Sequence, residues 1–222
     1  MNTTATTILE YIPLLLQGTV QTILLWITSL IISLICGTLW GILRCRQLRL
    51  KLTMIAGVLD VVSFLLRGIP FYVQLLIAYF VIPDLLNITI PATTTAISTL
   101  GLCSAAYVSQ IVRGGINALS KGQWTAAKAL GYTNMQTIRF IIIPQTTRVI
   151  LPSLINEFDQ LLKSTSIISA LGILEITRAG MNIIARTMMP MPVYITIAMI
   201  YLGLSTLLNI TGYYCERKCI WS

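Results

Sequence analysis

The sequence predicts an all-α integral membrane protein with about five membrane-spanning helices. Of its 222 residues, 56% are hydrophobic and only 10% are charged, whereas soluble domains carry about 25% charged residues. A helix that crosses a membrane needs about 20 apolar residues, so the chain has room for five or six spans joined by short loops. The net charge of +8 lies between the apolar stretches. Membrane orientation therefore accounts for it better than nucleic-acid binding does.

Five apolar stretches are long enough to be these spans, and their approximate bounds are 18–43, 55–81, 92–112, 150–173 and 193–213. The whole chain, 1–222, is expected to be a single transmembrane domain with a cytoplasmic loop over 113–149. Span three is rich in Thr, Ser, Ala and Gly, whose small side chains let helices approach closely in lipid, so it is predicted to lie in the bundle centre. Within span two, Gly68 and Pro70 predict a kink or a short break.

The positions of the cations predict the orientation of the bundle. With the N-terminus outside, only Arg178 and Arg186 lie on the external side, while Arg67 and Lys163 fall within spans. The remaining cations face the cytoplasm, and the first four of them form a basic loop after span one: Arg44, Arg46, Arg49, Lys51, Arg113, Lys121, Lys128, Arg139, Arg148, Arg217 and Lys218. This distribution follows the positive-inside rule and predicts an N-out, C-in topology.

Charged residues inside the spans are candidates for a substrate path. In span four, Asp159 and Lys163 are four residues apart and can pair on one helix face, whereas Glu157 points roughly 200° away from Asp159. These charges either line a translocation path or form a structural pair near the cytoplasmic end of the span. In span two, Arg67 can hold a substrate carboxylate, gate the pore, or neutralise an acid on a neighbouring helix.

The least hydrophobic long segment of the chain is KGQWTAAKALGYTNMQTIRFIIIP, residues 121–144. Good helix formers before Gly131 and a glycine at the expected helix C-terminus predict a short helix and a turn. A second amphipathic helix is predicted to stop before Pro144. The simplest interpretation, a solvated loop that obeys the charge rule, accounts for the cations of this hairpin but not for the spacing of its small residues.

That spacing resembles the cytoplasmic motif of permease subunits in ABC importers, which reads Glu-Ala-Ala, three residues, Gly, nine residues, Ile-x-Leu-Pro. Ala126, Ala127, Gly131, Ile141 and Pro144 occupy the matching positions. Ile143 replaces the Leu of the motif, and Thr125 stands where the family usually has Glu. The flanking sequences RGGINALSKGQW and NEFDQLLKSTSI resemble the branch that imports polar amino acids of the histidine, glutamine and arginine type.

The resemblance implies a permease of the bacterial cytoplasmic membrane that works with a separate ATPase subunit, a second permease copy or paralogue, and an external substrate-binding protein. The partner ATPase would use the ATP, and the chain itself would need no cofactor. The residues implied to couple to the ATPase are Gln123, Trp124, Thr125, Ala126, Ala127, Gly131 and Tyr132.

An enzymatic function is disfavoured by the residue types that are missing. The sequence has no His, which removes the usual base of a hydrolase triad and a common zinc ligand, and it has no phosphate-binding loop of the G-x-x-x-x-G-K-[ST] type. We therefore predict neither catalytic nor metal-binding residues. A stand-alone secondary transporter or channel is the main alternative. It shares the composition but would function without a partner, and the sequence shows no halves related by symmetry. An intramembrane enzyme ranks below both.

Overall fold

The computed structural model describes residues 9–45 and 53–221, and within these residues the chain is helical nearly throughout and contains no β-strand. The cations Arg46, Arg49 and Lys51 of the predicted basic loop lie outside the described residues. The predicted all-helical fold is confirmed.

Ten α-helices are described, together with three segments of other helical geometry. The α-helices are α1 (Ile12–Leu43), α2 (Thr53–Gly68), α3 (Phe71–Leu76), α4 (Ile82–Leu86), α5 (Ala92–Ala118), α6 (Lys121–Ala129), α7 (Asn134–Thr137), α8 (Ile143–Ser164), α9 (Ile176–Thr187) and α10 (Pro190–Trp221). A π-helical segment joins α3 to α4 (Ile77–Val81), another joins α7 to α8 (Ile138–Ile142), and a 3-10 segment follows α8 (Thr165–Leu171).

Four continuous helices are long and apolar enough to cross a membrane: Ile12–Leu43, Ala92–Ala118, Asn134–Leu171 and Pro190–Lys218. A fifth candidate is a bent pair, Met54–Gly68 and Phe71–Leu86, whose two arms meet at 107°. Each predicted span overlaps one of these helices, and most of the helices extend further than the predicted apolar stretch.

The packing register shows that the bent pair crosses the bundle. Along α1 and α5, contacts advance in the same direction, from Ser29 with Ile97 to Gly41 with Val112, so these two helices are parallel. The end of α1 and the start of α5 therefore lie on opposite sides, and the chain between them must cross back. With the bent pair counted as one span, the described helices make five crossings, so α1 begins and α10 ends on opposite sides of the bundle.

Small residues four positions apart (Ser29, Ser33, Gly37 and Gly41) allow α1 to pack closely on α5. The buried face of α1 carries Gly18, Thr22, Leu25, Ser29, Ser33, Gly37 and Gly41. A Cβ atom on Gly41 would lie only 2.7 Å from the Cβ of Val112, closer than real side chains pack. As predicted from its composition, α5 is the most enclosed of the continuous spans: 61% of its most apolar window is buried.

Two prolines follow π-helical segments, and one of them corrects the sequence prediction. The helix that begins at Asn134 does not stop before Pro144 but continues to Leu171. Just before Pro144, Ile143 N–H bonds to the Ile138 carbonyl, and the same i→i+5 bond precedes Pro83. A proline lacks an N–H and its ring crowds the carbonyl four residues earlier. A wider turn relieves that crowding and lets the helix continue.

The predicted external segment after span four forms α9, which is held against the bundle by a buried acid. The Glu175 carboxylate caps α9 by accepting hydrogen bonds from the Thr177 and Arg178 N–H groups at 2.8 and 2.7 Å. Tyr201 of α10 donates a third bond at 3.0 Å. Burial raises the pKa of Glu175, and these hydrogen bonds oppose that rise. The cap therefore fixes α9 against α10.

Candidate functional site

The break in span two, α5 and α8 line a partly open cavity of about 530 Å³. Its polar lining residues are Arg67, Ser104, Tyr107, Glu157, Gln160 and Ser164. Gly68, Ile69 and Pro70 also line this cavity, at the place where Pro70 interrupts the helix and α3 restarts at Phe71. The predicted break in span two therefore forms one wall of the candidate site.

Glu157 is half-buried on the cavity side of α8. Its Oε1 atom accepts a hydrogen bond of 2.6 Å from the Ser104 hydroxyl, and Ser104 accepts one of 2.8 Å from Ser33 on α1. A charged group at membrane depth is stable only where it meets polar partners or an aqueous cavity. Glu157 has both.

Arg67 lies in the last turn of α2 and faces the same cavity. Its Nε atom donates to the main-chain oxygen of Ser63 at 3.1 Å. Within the described part of the chain, Arg67 forms no ion pair with an acid. The interpretation in which Arg67 neutralises an acid on a neighbouring helix therefore finds no partner among the described residues and stays a prediction.

Asp159 and Lys163 are brought together, but they do not line this cavity. Their side chains form the predicted i,i+4 ion pair, with 2.6 Å between Lys163 Nζ and Asp159 Oδ2. The Ser205 hydroxyl of α10 donates to Asp159 Oδ1 at 2.5 Å, whereas the Lys163 side chain is 52% exposed. Four charged residues are predicted for the path. Two of them, Arg67 and Glu157, line the cavity, whereas Asp159 and Lys163 form a pair beside α10.

A second charged cluster, which the sequence did not indicate, lies around Asp60 in the middle of α2. Arg44 was predicted to be a loop cation, yet its side chain is only 2% exposed. Its guanidinium lies 2.6 Å from Asp60 and donates to the Ser63 and Ser109 hydroxyls at 3.0 and 2.7 Å. Arg113 also pairs with Asp60 at 3.0 Å. The cluster joins α1, α2 and α5. The sequence around Arg44 looks like any basic loop, so it gives no sign that this side chain is buried.

The hairpin between α5 and α8 has well-defined caps at its turn. Gly131 adopts φ +81°, and the N–H groups of Tyr132 and Gly131 bond to the Ala127 and Lys128 carbonyls at 3.0 Å, the Schellman pattern. Thr133 and Gln136 then form a reciprocal capping box that starts α7. The predicted helix, glycine turn and second helix are confirmed up to this point.

The exposed surface of α6 differs from the predicted contact set at two residues. Gln123, Thr125, Ala126, Gly131 and Tyr132 are exposed. Ala127, by contrast, is only 1% exposed, and half-buried Trp124 packs on the cluster that contains Val112 and Ile116. The side chains of Trp124 and Ala127 both point toward the helical bundle, because residues one turn apart on a short amphipathic helix share its inner face. Ala127 is therefore corrected from a surface residue to a packing residue.

Known proteins match this chain over most of its length. Residues 33–220 match the family described as binding-protein-dependent transport system inner membrane component. The arginine transport system permease protein ArtQ of Bacillus subtilis is 33% identical, with 98% of both chains covered. The glutamine transport system permease protein GlnP of Escherichia coli K12 is 31% identical, with 93% of both covered.

Solved structures support the same grouping. A crystal structure of an amino acid ABC transporter with histidines has a TM-score of 0.88 and 32% identity, covering 96% of this chain and 97% of that chain. An inward-facing methionine ABC transporter, MetNI, shares the fold with a TM-score of 0.77 at 18% identity, covering 93% and 96% of the two chains. The chain belongs to the family of binding-protein-dependent transport system inner membrane components, the membrane-spanning permease subunits of ABC transporters, which are not themselves enzymes.

Proposed function

We propose that this permease imports polar amino acids across the bacterial cytoplasmic membrane, with the cavity between span two, α5 and α8 as part of the substrate path. The observation that carries the proposal is the presence of Arg67 and Glu157 in one cavity of about 530 Å³. A free amino acid has a carboxylate and an ammonium group. A guanidinium suits the first because it donates in a planar fork, and a carboxylate accepts from the second.

A polar strip along α8 supports a second permease copy or paralogue as partner. Ser153, Asn156, Gln160 and Lys163 recur every three or four residues and are all exposed. Such a strip is unfavourable against lipid tails but suits an aqueous path between two permeases. In this arrangement, Lys163 faces the second copy, and Asp159 anchors Lys163 beside α10.

The coupling to an ATPase is proposed to run through the exposed surface of α6 and then along α8. One continuous helix runs from Asn134 to Leu171, so about 35 Å of helix joins the start of α7 to Glu157. A partner could bind the exposed residues Gln123, Thr125, Ala126, Gly131 and Tyr132. It would then move this long helix from the end that begins at Asn134. An external binding protein would deliver the substrate on the opposite side.

Co-purification and transport together test this function. A chromosomally tagged chain is purified from its own host, its partners are identified, and the complex is reconstituted in vesicles. We expect an ATPase and a second permease copy or paralogue in the complex. With a binding protein added, we expect ATP-dependent uptake of L-arginine, L-glutamine or L-cystine. A stand-alone secondary transporter or channel predicts instead that the chain alone transports without ATP.

A further inference from the structure

We propose that Ser33 and Ser104 form a hydrogen-bond relay that positions the Glu157 carboxylate for substrate. The relay begins on α1, a helix that does not line the cavity, so Ser33 would act on the site through Ser104 alone. The inference rests on the proposed role of Glu157 in the substrate path and adds two positioning residues to it.

The direction of the relay follows from the number of protons. The Ser104 hydroxyl has one proton to donate and gives it to Glu157 Oε1 over 2.6 Å. Ser104 must therefore be the acceptor in its 2.8 Å bond to Ser33. The two hydroxyl dipoles then point the same way, toward the carboxylate, and each strengthens the other. The relay thus holds Oε1 on the α5 side of the cavity.

Packing alone does not account for the two hydroxyl groups. Ser33 is fully buried and Ser104 is 4% exposed, and alanine has nearly the same volume without a polar atom to satisfy. Burying a hydroxyl is unfavourable unless it forms a hydrogen bond. Both hydroxyls here form hydrogen bonds, and the series of bonds ends on Glu157 in the cavity.

The second carboxylate oxygen of Glu157 is left for the cavity. Within the described part of the chain, no side-chain hydrogen bond is formed to Glu157 Oε2. The cavity that contains Glu157 is also lined by Arg67 from the break in span two, Cys103 and Tyr107 from α5, and Gln160 from α8. With Oε1 fixed by Ser104, Oε2 is oriented to accept from a substrate ammonium or amide group.

A matched control lies one turn away on the same helix. Ser29 is fully buried on α1 and donates to a main-chain oxygen of α5, that of Ile97, at 3.3 Å. Ser29→Ala removes the same number of atoms and one α1–α5 hydrogen bond, as Ser33→Ala does. Only Ser33 is connected to Glu157, so the two variants separate helix packing from the relay.

Infrared spectroscopy of the purified complex detects the relay directly. The Glu157 carboxylate bands are identified by subtracting the spectrum of the Glu157→Gln complex. We expect Ser104→Ala and Ser33→Ala to shift these bands, and Ser29→Ala and Ser104→Thr, which keeps a hydroxyl, to leave them in place. Unshifted bands in Ser33→Ala, or equal shifts in Ser33→Ala and Ser29→Ala, would overturn the relay.

Binding of tritiated L-arginine, L-glutamine and L-cystine to the same complex, without a binding protein, tests the positioning role. We expect Ser33→Ala and Ser104→Ala to raise Kd about threefold to tenfold, and Ser29→Ala to leave it unchanged. An unchanged Kd in Ser33→Ala would contradict positioning. An unchanged Kd in Glu157→Gln would instead remove Glu157 from the substrate path, and the band shifts would still report on the relay itself.

Discussion

Gly37 of α1 and Val108 of α5 touch so closely that a Cβ atom on Gly37 would lie 2.6 Å from the Cβ of Val108. No side chain fits in that space without movement of a helix. The contact lies one turn from Ser33, and it brings the backbone of α1 near enough for the short Ser33 side chain to reach Ser104. Close packing and the polar relay are thus consequences of the same helix approach.

Replacing Gly37 with Ala is therefore expected to destabilise the protein by about 1–3 kcal/mol, because overpacking a tight contact forces backbone shifts. Gly203→Ala is the matched control, since Gly203 lies within α10 with nothing within 4 Å of its Cβ position. There alanine should be neutral or slightly stabilising. The measurement is the Tm of each purified variant in detergent. Equal Tm values would contradict the close packing of α1 on α5.

The Asp159–Lys163 pair is expected to behave as a structural contact between α8 and α10. Asp159→Asn leaves Lys163 without its partner and should lower the yield of assembled complex, with a cost of about 1–3 kcal/mol because Lys163 is half exposed. The double change Asp159→Asn with Lys163→Gln should restore both yield and uptake. An assembled double variant that still fails in uptake would place the pair in the substrate path instead.

Much of the fold follows from composition and spacing, whereas helix continuity does not. Five apolar stretches and the small residues of span three predict the spans and the central helix. Pro144, however, reads as a helix end, because proline usually stops a helix. The structure accommodates it with one wide turn at Ile138–Ile142. Such a turn depends on tertiary packing around the proline, which a single sequence does not reveal.

The candidate site was only partly predictable for a similar reason. Arg67 and Glu157 stand out because charges are rare in membrane spans, and they do line one cavity. Ser33 and Ser104 do not stand out, since serine is common in such helices and only the α1–α5 register brings these two together. Ala127 is likewise buried because of how α6 packs against the bundle, which the sequence alone does not show.

The orientation of the bundle is a separate prediction that labelling can check. Asn87, at the end of α4, and Asn134, at the start of α7, lie at opposite ends of α5. Single cysteines at Thr3 and Asn87 should react with an impermeant reagent from outside, and those at Gln47, Asn134 and Ser222 only from the cytoplasm. Thr3, Gln47 and Ser222 lie outside the described residues. External labelling at position 134 would reverse the assigned orientation.

Coupling through the hairpin is the central claim, and Gly131 is its most direct test. Gly131 holds φ +81° with open space around it, so the constraint there is backbone conformation rather than crowding. Val at this position costs roughly 1–3 kcal/mol of strain, whereas Asn is similar in size and tolerates positive φ. In the proposed coupling, packing and backbone geometry carry the contact in the absence of the family's Glu, so Thr125→Glu should be tolerated.

The decisive measurement is substrate-stimulated ATP hydrolysis by the reconstituted complex, recorded with co-purification of the ATPase. We predict that Gly131→Val inserts stably but loses stimulation and uptake, while Gly131→Asn retains both. Full stimulation in Gly131→Val would show that the hairpin is only a solvated loop and would contradict coupling through α6.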